Sequence, residues 1–287
     1  MILVTGATGF VGRSLMRALA THGVEARPFT GRITNSLRLR EQLNGVDTVI
    51  HLATGEAHNR IRRLQTVDVQ GTETLIRACE LLRVRRLIYL SRLGADADAL
   101  YPLLRAKGEA ERYIRRAELD YTIVRSATLF GREDHFINAI AGAAAWSWPF
   151  AWLPDRGRLP LQPLWVEDAV RVLLRVAAED RFIGQTIQIA GDERLHYREI
   201  VKRTLAAAGM RRIPLPLPIL LARLIVSQGW PWRRKPALSR FFMDRFSVPE
   251  VTDLDLVYRQ FGFQPARLAD QLAFLRRGAH WRRVFVS

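Results

Sequence analysis

Residues 2–12 read Ile2-Leu3-Val4-Thr5-Gly6-Ala7-Thr8-Gly9-Phe10-Val11-Gly12, an apolar run that breaks into glycines spaced three apart. The run from Ile2 to Val4 predicts a buried parallel strand, and Gly12 to Ala20 predicts the helix packed behind it. Each glycine between them has its own task. Gly6 permits a tight turn, Gly9 lets backbone approach a pyrophosphate, and Gly12 lets the helix lie against the strand. The helix N-terminus adds N–H groups and positive dipole for the phosphates. A glycine triplet alone is weak, but here a strand precedes it, a helix follows it, and more strands come after. The expected ligand is a dinucleotide, held by Gly6, Thr8, Gly9, Phe10, Val11 and Gly12, with Leu52 and Ala53 at the end of a later strand.

Moving outward, strands are expected at Val24–Phe29, Val46–Ala53, Arg86–Leu90 and Tyr121–Val124. Helices are expected at Ser36–Leu43, Val69–Leu82 and Pro102–Ala117. This alternation predicts an α/β fold, a Rossmann-type doubly wound parallel sheet. The pattern loosens after Gly131, so residues 1–131 are expected to form the dinucleotide-binding domain. Residues 132–287 should build a smaller C-terminal α+β lobe, interleaved with the sheet edge and facing substrate or partner. In that lobe Asp168–Ala178 and Tyr197–Ala208 read as helices and Gln185–Ile189 as a strand. A stretch punctuated by Pro214, Pro216 and Pro218 leads into an apolar helix, Ile219–Val226. The chain ends in a basic amphipathic helix from about Arg267 to Arg283.

The choice of dinucleotide turns on the end of the second strand. NAD-preferring sites carry a carboxylate there for the ribose hydroxyls, whereas this segment is Phe29-Thr30-Gly31-Arg32. Arg32 can pair with a 2′-phosphate, so NADP(H) is favoured over NAD(H).

Composition limits the other options. The chain has 287 residues and carries 44 basic against 28 acidic side chains, for a net charge of +16. Only Lys107, Lys202 and Lys235 are lysines; the other basic residues are arginines. Such a surface suits an anionic membrane or an acidic partner, and no nucleic-acid-binding module accompanies the charge, so no nucleic acid is expected. Cys79 is alone, which excludes an internal disulfide. His22, His51, His58, His135, His196 and His280 lack metal-ligand spacing, so no metal site is expected. A core strand directly after Met1 leaves no room for a cleaved leader, and a cytoplasmic protein at the membrane face is expected. Five of the seven tryptophans fall in two apolar stretches: Trp146, Trp148 and Trp152 in one, Trp230 and Trp232 in the other. The second runs into Arg233, Arg234 and Lys235. Tryptophan beside basic groups suits a membrane interface or a greasy partner; packing of the second lobe is the competing reading.

Taken together, the motifs GATGFVG at 6–12, GRITN at 31–35, VIHLA at 49–53, VDVQGT at 67–72, YLSRLGAD at 89–96, LRAKGEAE at 104–111 and YTIVRSATLFG at 121–131 resemble the atypical and extended short-chain dehydrogenase/reductases. LQPLWVEDA at 161–169 and GFQPARLADQLAFL at 262–275 extend the likeness over most of the chain. It looks closest to the NAD(P)-binding branch with the 39-kDa-type accessory subunit of respiratory complex I and photosystem assembly factors. The family's chemistry, as the resemblance implies it, needs a tyrosine four residues before a lysine on one helix face. The lysine holds the nicotinamide ribose and lowers the tyrosine pKa for proton transfer. Lys107 stands at the lysine position, but the tyrosine position is Leu103. Tyr101 lies six residues from Lys107, at the rim of a helix that Pro102 opens. The serine pair is Ser91-Arg92, and the asparagine of the Asn-Val-x-Gly-Thr motif is Asp68. Lys107, Tyr101 and Ser91 are therefore weak catalytic candidates, and Lys107 is also a cofactor-binding one. The expectation is an accessory or assembly subunit of a membrane-associated energy-converting complex without the usual tyrosine chemistry. The alternative is an NADP-dependent reductase or epimerase-like enzyme acting on an apolar substrate.

Overall fold

The computed structural model describes residues 1–56, 60–221 and 248–276. Strand β1 (Ile2–Thr5) turns through the glycines into helix α1 (Phe10–Thr21), and β2 (Ala26–Pro28) follows. This second strand is shorter than the sequence predicts because Val24 is used up in ending α1. Its N–H donates to Leu19 O at 2.9 Å while Gly23 sits at φ +66°, a helix-capping turn that needs glycine. Then come α2 (Ser36–Leu43), capped by the Asn35 side chain accepting from Arg38 N, and β3 (Thr48–His51).

The next helical region begins before its expected start. It opens as α3 (Ile61–Leu64), passes through a π-helical turn at Gln65–Gln70 and continues as α4 (Gly71–Leu81). After it lie β4 (Arg86–Arg92), α5 (Pro102–Arg116) and β5 (Asp120–Ser126). The chain then forms β6 (Leu129–Phe130), α6 (Ile137–Trp146), β7 (Phe150–Pro154), β8 (Pro160–Leu161) and β9 (Leu164–Trp165). Helix α7 (Val166–Ala178) and strand β10 (Gln185–Ile189) precede β11 (Leu195–His196), α8 (Tyr197–Ala207) and β12 (Ile213–Leu217). The last described helices are α9 (Leu256–Phe261) and α10 (Leu268–Gln271).

These elements divide into two compact units. One is Met1–Ser126 with Val166–Ile189, and the other is Ala127–Trp165 with Ala190–Ser287. The first therefore takes back α7 and β10 after the chain has left it. Its six strands are all parallel, in the order β10-β5-β4-β3-β1-β2. Alternation along the strands sends Leu3, Val49, Leu87, Tyr89 and Ile123 into one apolar cluster with Leu39, Leu75, Cys79 and Ile114 from α2, α4 and α5. Helices α1 and α7 pack on each other. This is the Rossmann-type doubly wound sheet the alternation predicts. Because β1 and β3 are neighbours whose following helices leave on opposite faces, the crevice beyond their C-terminal ends is the natural ligand position.

In the second unit, α6, β7, α8 and the residues around α10 share a core that includes Phe130, Phe136, Ile140, Tyr197, Ile200 and Leu272. The proline-punctuated stretch is a strand. Ile213 to Leu217 pairs in parallel with Phe150 to Pro154. Proline argues against a strand only where both neighbours need its N–H; β12 has β7 on one side alone. The expected Ile219–Val226 helix, Trp230, Trp232 and Arg233–Lys235 lie wholly or mostly outside the described residues, as do His58 and His280. Of the expected C-terminal basic helix, residues 267–276 are described, and they form the short α10 followed by a 3-10 turn over Leu272–Leu275 in place of one continuous helix. Among the described residues no helix is long and apolar enough to cross a membrane.

Candidate nucleotide site

The glycine turn is shaped by close backbone approach. Gly6 has φ +70°, and a Cβ there would stand 2.7 Å from Ala53 N and Leu52 C. A Cβ on Gly12 would come within 2.2 Å of Gly6 O and 2.6 Å of Ala7 Cα. Both positions exclude any side chain, so β1, α1 and the end of β3 meet only because these residues are glycine. Leu52 N donates to Thr5 O at 3.1 Å, continuing the sheet to the lip of the crevice. Gly9 is the N-cap of α1 and supplies no side-chain cap, and the first turn carries no acid. Thr8 and Gly9 are exposed, with Phe10 and Val11 half-buried beside them. The opening N–H groups of α1 thus remain available to an anion, as a pyrophosphate requires. Arg13 reaches back and donates to Thr8 O.

The segment after β2 packs by its apolar member. Ile33 is buried, and its side chain lies where a Cβ on Gly71 would be, 2.4 Å away. The GRITN and VDVQGT stretches are therefore one contact. Arg32 beside it is exposed, at the edge strand where an adenosine ribose would end.

The other end of the crevice is built of buried ions. Lys107 is 6% exposed, on α5. Its helix is pressed against the loop after β4, since a Cβ on Gly108 would meet Asp96 C at 2.1 Å. Lys107 Nζ lies 3.1 Å from Asp68 Oδ1 and 5.0 Å from the centre of the Tyr89 ring. Burial disfavours the ammonium, but Tyr89 and Asp68 outweigh it and hold Lys107 above the usual lysine range. The other Asp68 oxygen accepts Gly55 N at 2.7 Å. The π-helical turn carries Asp68, and with it the carboxylate, to this position; such turns often occur at functional sites.

His51 stacks on Tyr89 with ring centroids 5.3 Å apart. Its two nitrogens face Thr5 Oγ1 at 2.6 Å and Thr72 Oγ1 at 2.9 Å. The Thr72 hydroxyl donates to Asp68 O at 2.6 Å, so Thr72 accepts from His51 Nε2–H and Thr5 donates to Nδ1. Burial, helped by the Lys107 charge, pushes His51 down to about 3. It is a neutral packed histidine that ties β1, β3 and the start of α4 together.

The proton-handling candidates are placed elsewhere. The Ser91 hydroxyl donates to Glu111 Oε1 at 2.6 Å. Glu111 is fully buried and also receives Arg125 and Arg115. Arg92 fills the second serine position and pairs with Glu56 at 2.9 Å. Leu103, at the tyrosine position, is buried in α5. Tyr101 is the N-cap of that helix, before Pro102. The structure thus joins Gly6, Gly12, Leu52 and Ala53 at one lip and Lys107 with Asp68 and Tyr89 farther along, while Ser91 is spent on Glu111. Tyr89 and Glu111 lie at the ends of the YLSRLGAD and LRAKGEAE stretches, but neither is singled out there as a site residue. The signal for their buried roles is a tyrosine inside an apolar strand and an acid on the inner face of an amphipathic helix.

A parallel sheet with a side-chain-free cradle at its first strand-to-helix turn defines a Rossmann-type dinucleotide-binding protein. Residues 20–141 match the NAD(P)H-binding family model. The chain is 25% identical over 308 residues to the mitochondrial NADH dehydrogenase [ubiquinone] 1 alpha subcomplex subunit 9 of Rattus norvegicus, covering 97% of this chain and 80% of that protein. It is 22% identical to the photosystem II assembly factor Ycf39 of Synechocystis, covering 96% and 89%. Among solved structures, MoeE5 in complex with UDP-glucose and NAD superposes with a TM-score of 0.75 at 21% identity, covering 100% of this chain and 99% of MoeE5; at that identity the likeness is one of fold.

Proposed function

We propose that this protein holds NADP(H) as a bound structural or sensing group and serves as an accessory or assembly subunit of a membrane-associated energy-converting complex. One observation carries the reading: an intact glycine cradle stands beside a lysine locked to Asp68, with leucine where the proton-transferring tyrosine would be. The cradle needs only shape and N–H groups, which are present. Reduction of a carbonyl needs a proton delivered beside the hydride, and the side chains that would deliver it are replaced or committed. When bound, the nucleotide would supply a phosphate anchor at α1 and a nicotinamide near Lys107, and Arg32 would take the 2′-phosphate. Its binding would stabilise the fold by mass action, about 2.7 kcal/mol at a hundred times Kd. The complex I subunit and photosystem assembly factor it resembles support the choice of setting.

The test is gentle purification from native membranes followed by mass spectrometry of bound nucleotide and co-eluting polypeptides. The expected result is retained NADP(H) together with membrane-complex subunits. A free monomer that reduces carbonyl substrates, and loses that turnover in Lys107→Ala, would overturn it in favour of a working reductase.

A further inference from the structure

We propose that the second unit carries a docking face for an anionic lipid surface, centred on Trp148. The face is assembled from two distant stretches. The turn after α6 is tightly built: Phe150 N donates to Ser147 O at 2.7 Å, and Ser147 Oγ lies 2.9 Å from Ala143 O and 2.8 Å from Phe150 O. At its tip Trp148 is 75% exposed, and Trp146 before it is 49% exposed. Residues 211–213 are fastened beside this turn. Arg212 Nε donates to Ala144 O at 2.7 Å, and Ile213 N donates to Pro149 O at 2.9 Å. Ile213, paired with Phe150, is 57% exposed, and Arg211 before it is exposed.

Charge selects the occupant. No carboxylate occurs from His135 to Pro154 or from Ile200 to Leu221, while Arg211 and Arg212 lie within the second stretch. An indole and a branched aliphatic side chain held out by a rigid turn, flanked by arginine and without any acid, match the boundary of an anionic bilayer. Its phosphates meet the guanidinium groups and its acyl boundary takes the apolar tips. Two adjoining exposed tryptophans are poorly suited to water alone.

This deepens the membrane setting of the accessory-subunit reading and rests on it only for a membrane being near. The experiment is flotation of the full chain with vesicles of phosphatidylcholine containing about one-third phosphatidylglycerol, with pure phosphatidylcholine as the neutral comparison. Because the whole protein is strongly cationic, Arg40→Glu on exposed α2 makes the same charge change in the first unit. The expected result is binding to the anionic vesicles that falls on the order of tenfold in Trp148→Ser and in Arg211→Glu, and much less in Arg40→Glu. NADPH binding measured on the same variants should stay unchanged, which shows that they are folded. Trp148→Ser binding like the wild type, or Arg40→Glu weakening it as much as Arg211→Glu, would overturn the proposal; net charge alone would then explain the attraction. Loss of the tryptophan effect with NADPH binding intact sinks this face alone, whereas a wild-type chain that binds no nucleotide sinks the functional reading and leaves this face standing.

Discussion

The two ends of the nucleotide crevice are made of different materials. At the Gly6–Gly12 end nothing but backbone fits: added carbon atoms would collide with main chain at 2.2–2.7 Å. At the Lys107 end a glycine, Gly108, again lets backbone come close, but the site itself is defined by charges buried against one another. The first kind of site is rigid and tolerates little, but asks only for a phosphate. The second depends on how protons and charges are shared, so single changes there convert chemistry into structure. At position 68 a carboxylate gives the lysine a buried partner.

The sharpest way to break this contrast is to remove one ion. Lys107→Met leaves the fully buried Asp68 carboxylate without its cation and should cost about 3–5 kcal/mol in denaturant unfolding. The double variant Lys107→Met with Asp68→Leu should recover a large part of that. If Lys107→Met alone is nearly neutral for stability yet abolishes NADPH binding, the lysine serves the ribose and the contrast fails.

A smaller effect should appear in the pH dependence. In the unfolded chain His51 titrates near 6.5, and in the folded protein it is held at about 3. Between those values the unfolded state binds the extra proton, so stability falls as pH falls, by up to about 1.4 kcal/mol per pH unit. Unfolding at pH 5 and pH 7.5 should show about 2 kcal/mol from this group, and His51→Gln should flatten the slope. An unchanged slope would mean that the imidazole is accessible to protons in the folded state.

Smallest of all, and confined to the ligand, is the expected effect of Arg32→Ala. It should weaken NADPH binding about tenfold, roughly one charge-assisted contact, while leaving NADH within about twofold. Calorimetric titration of both nucleotides distinguishes this from equal weakening, which would remove Arg32 from the 2′-phosphate site.

The cradle was legible in the sequence because glycines at fixed spacing report backbone demands directly, and the alternation of strands with helices gave the sheet. The other end was legible as one retained lysine, Lys107, among missing partners. Asp68 and Lys107 meet because a π-helical turn and a helix pressed onto a loop bring them together, and neither device has a local pattern. Ser91 and Glu111 lie twenty positions apart on a strand and a helix. The strand at Ile213–Leu217 was hidden for the opposite reason: its prolines are the usual mark of a loop.

Those prolines have one more effect. In β12 the N–H of Ile213 points toward β7, and Pro214 and Pro216 occupy the alternate positions whose amides would face outward. An outward row without donors gives an incoming strand from another molecule little to hold. A protein that bares tryptophan and isoleucine beside an open sheet edge would ordinarily invite its own copies to zip onto it. Here the β12 edge is blunted by imino acids, so a second copy finds little to pair with on that side.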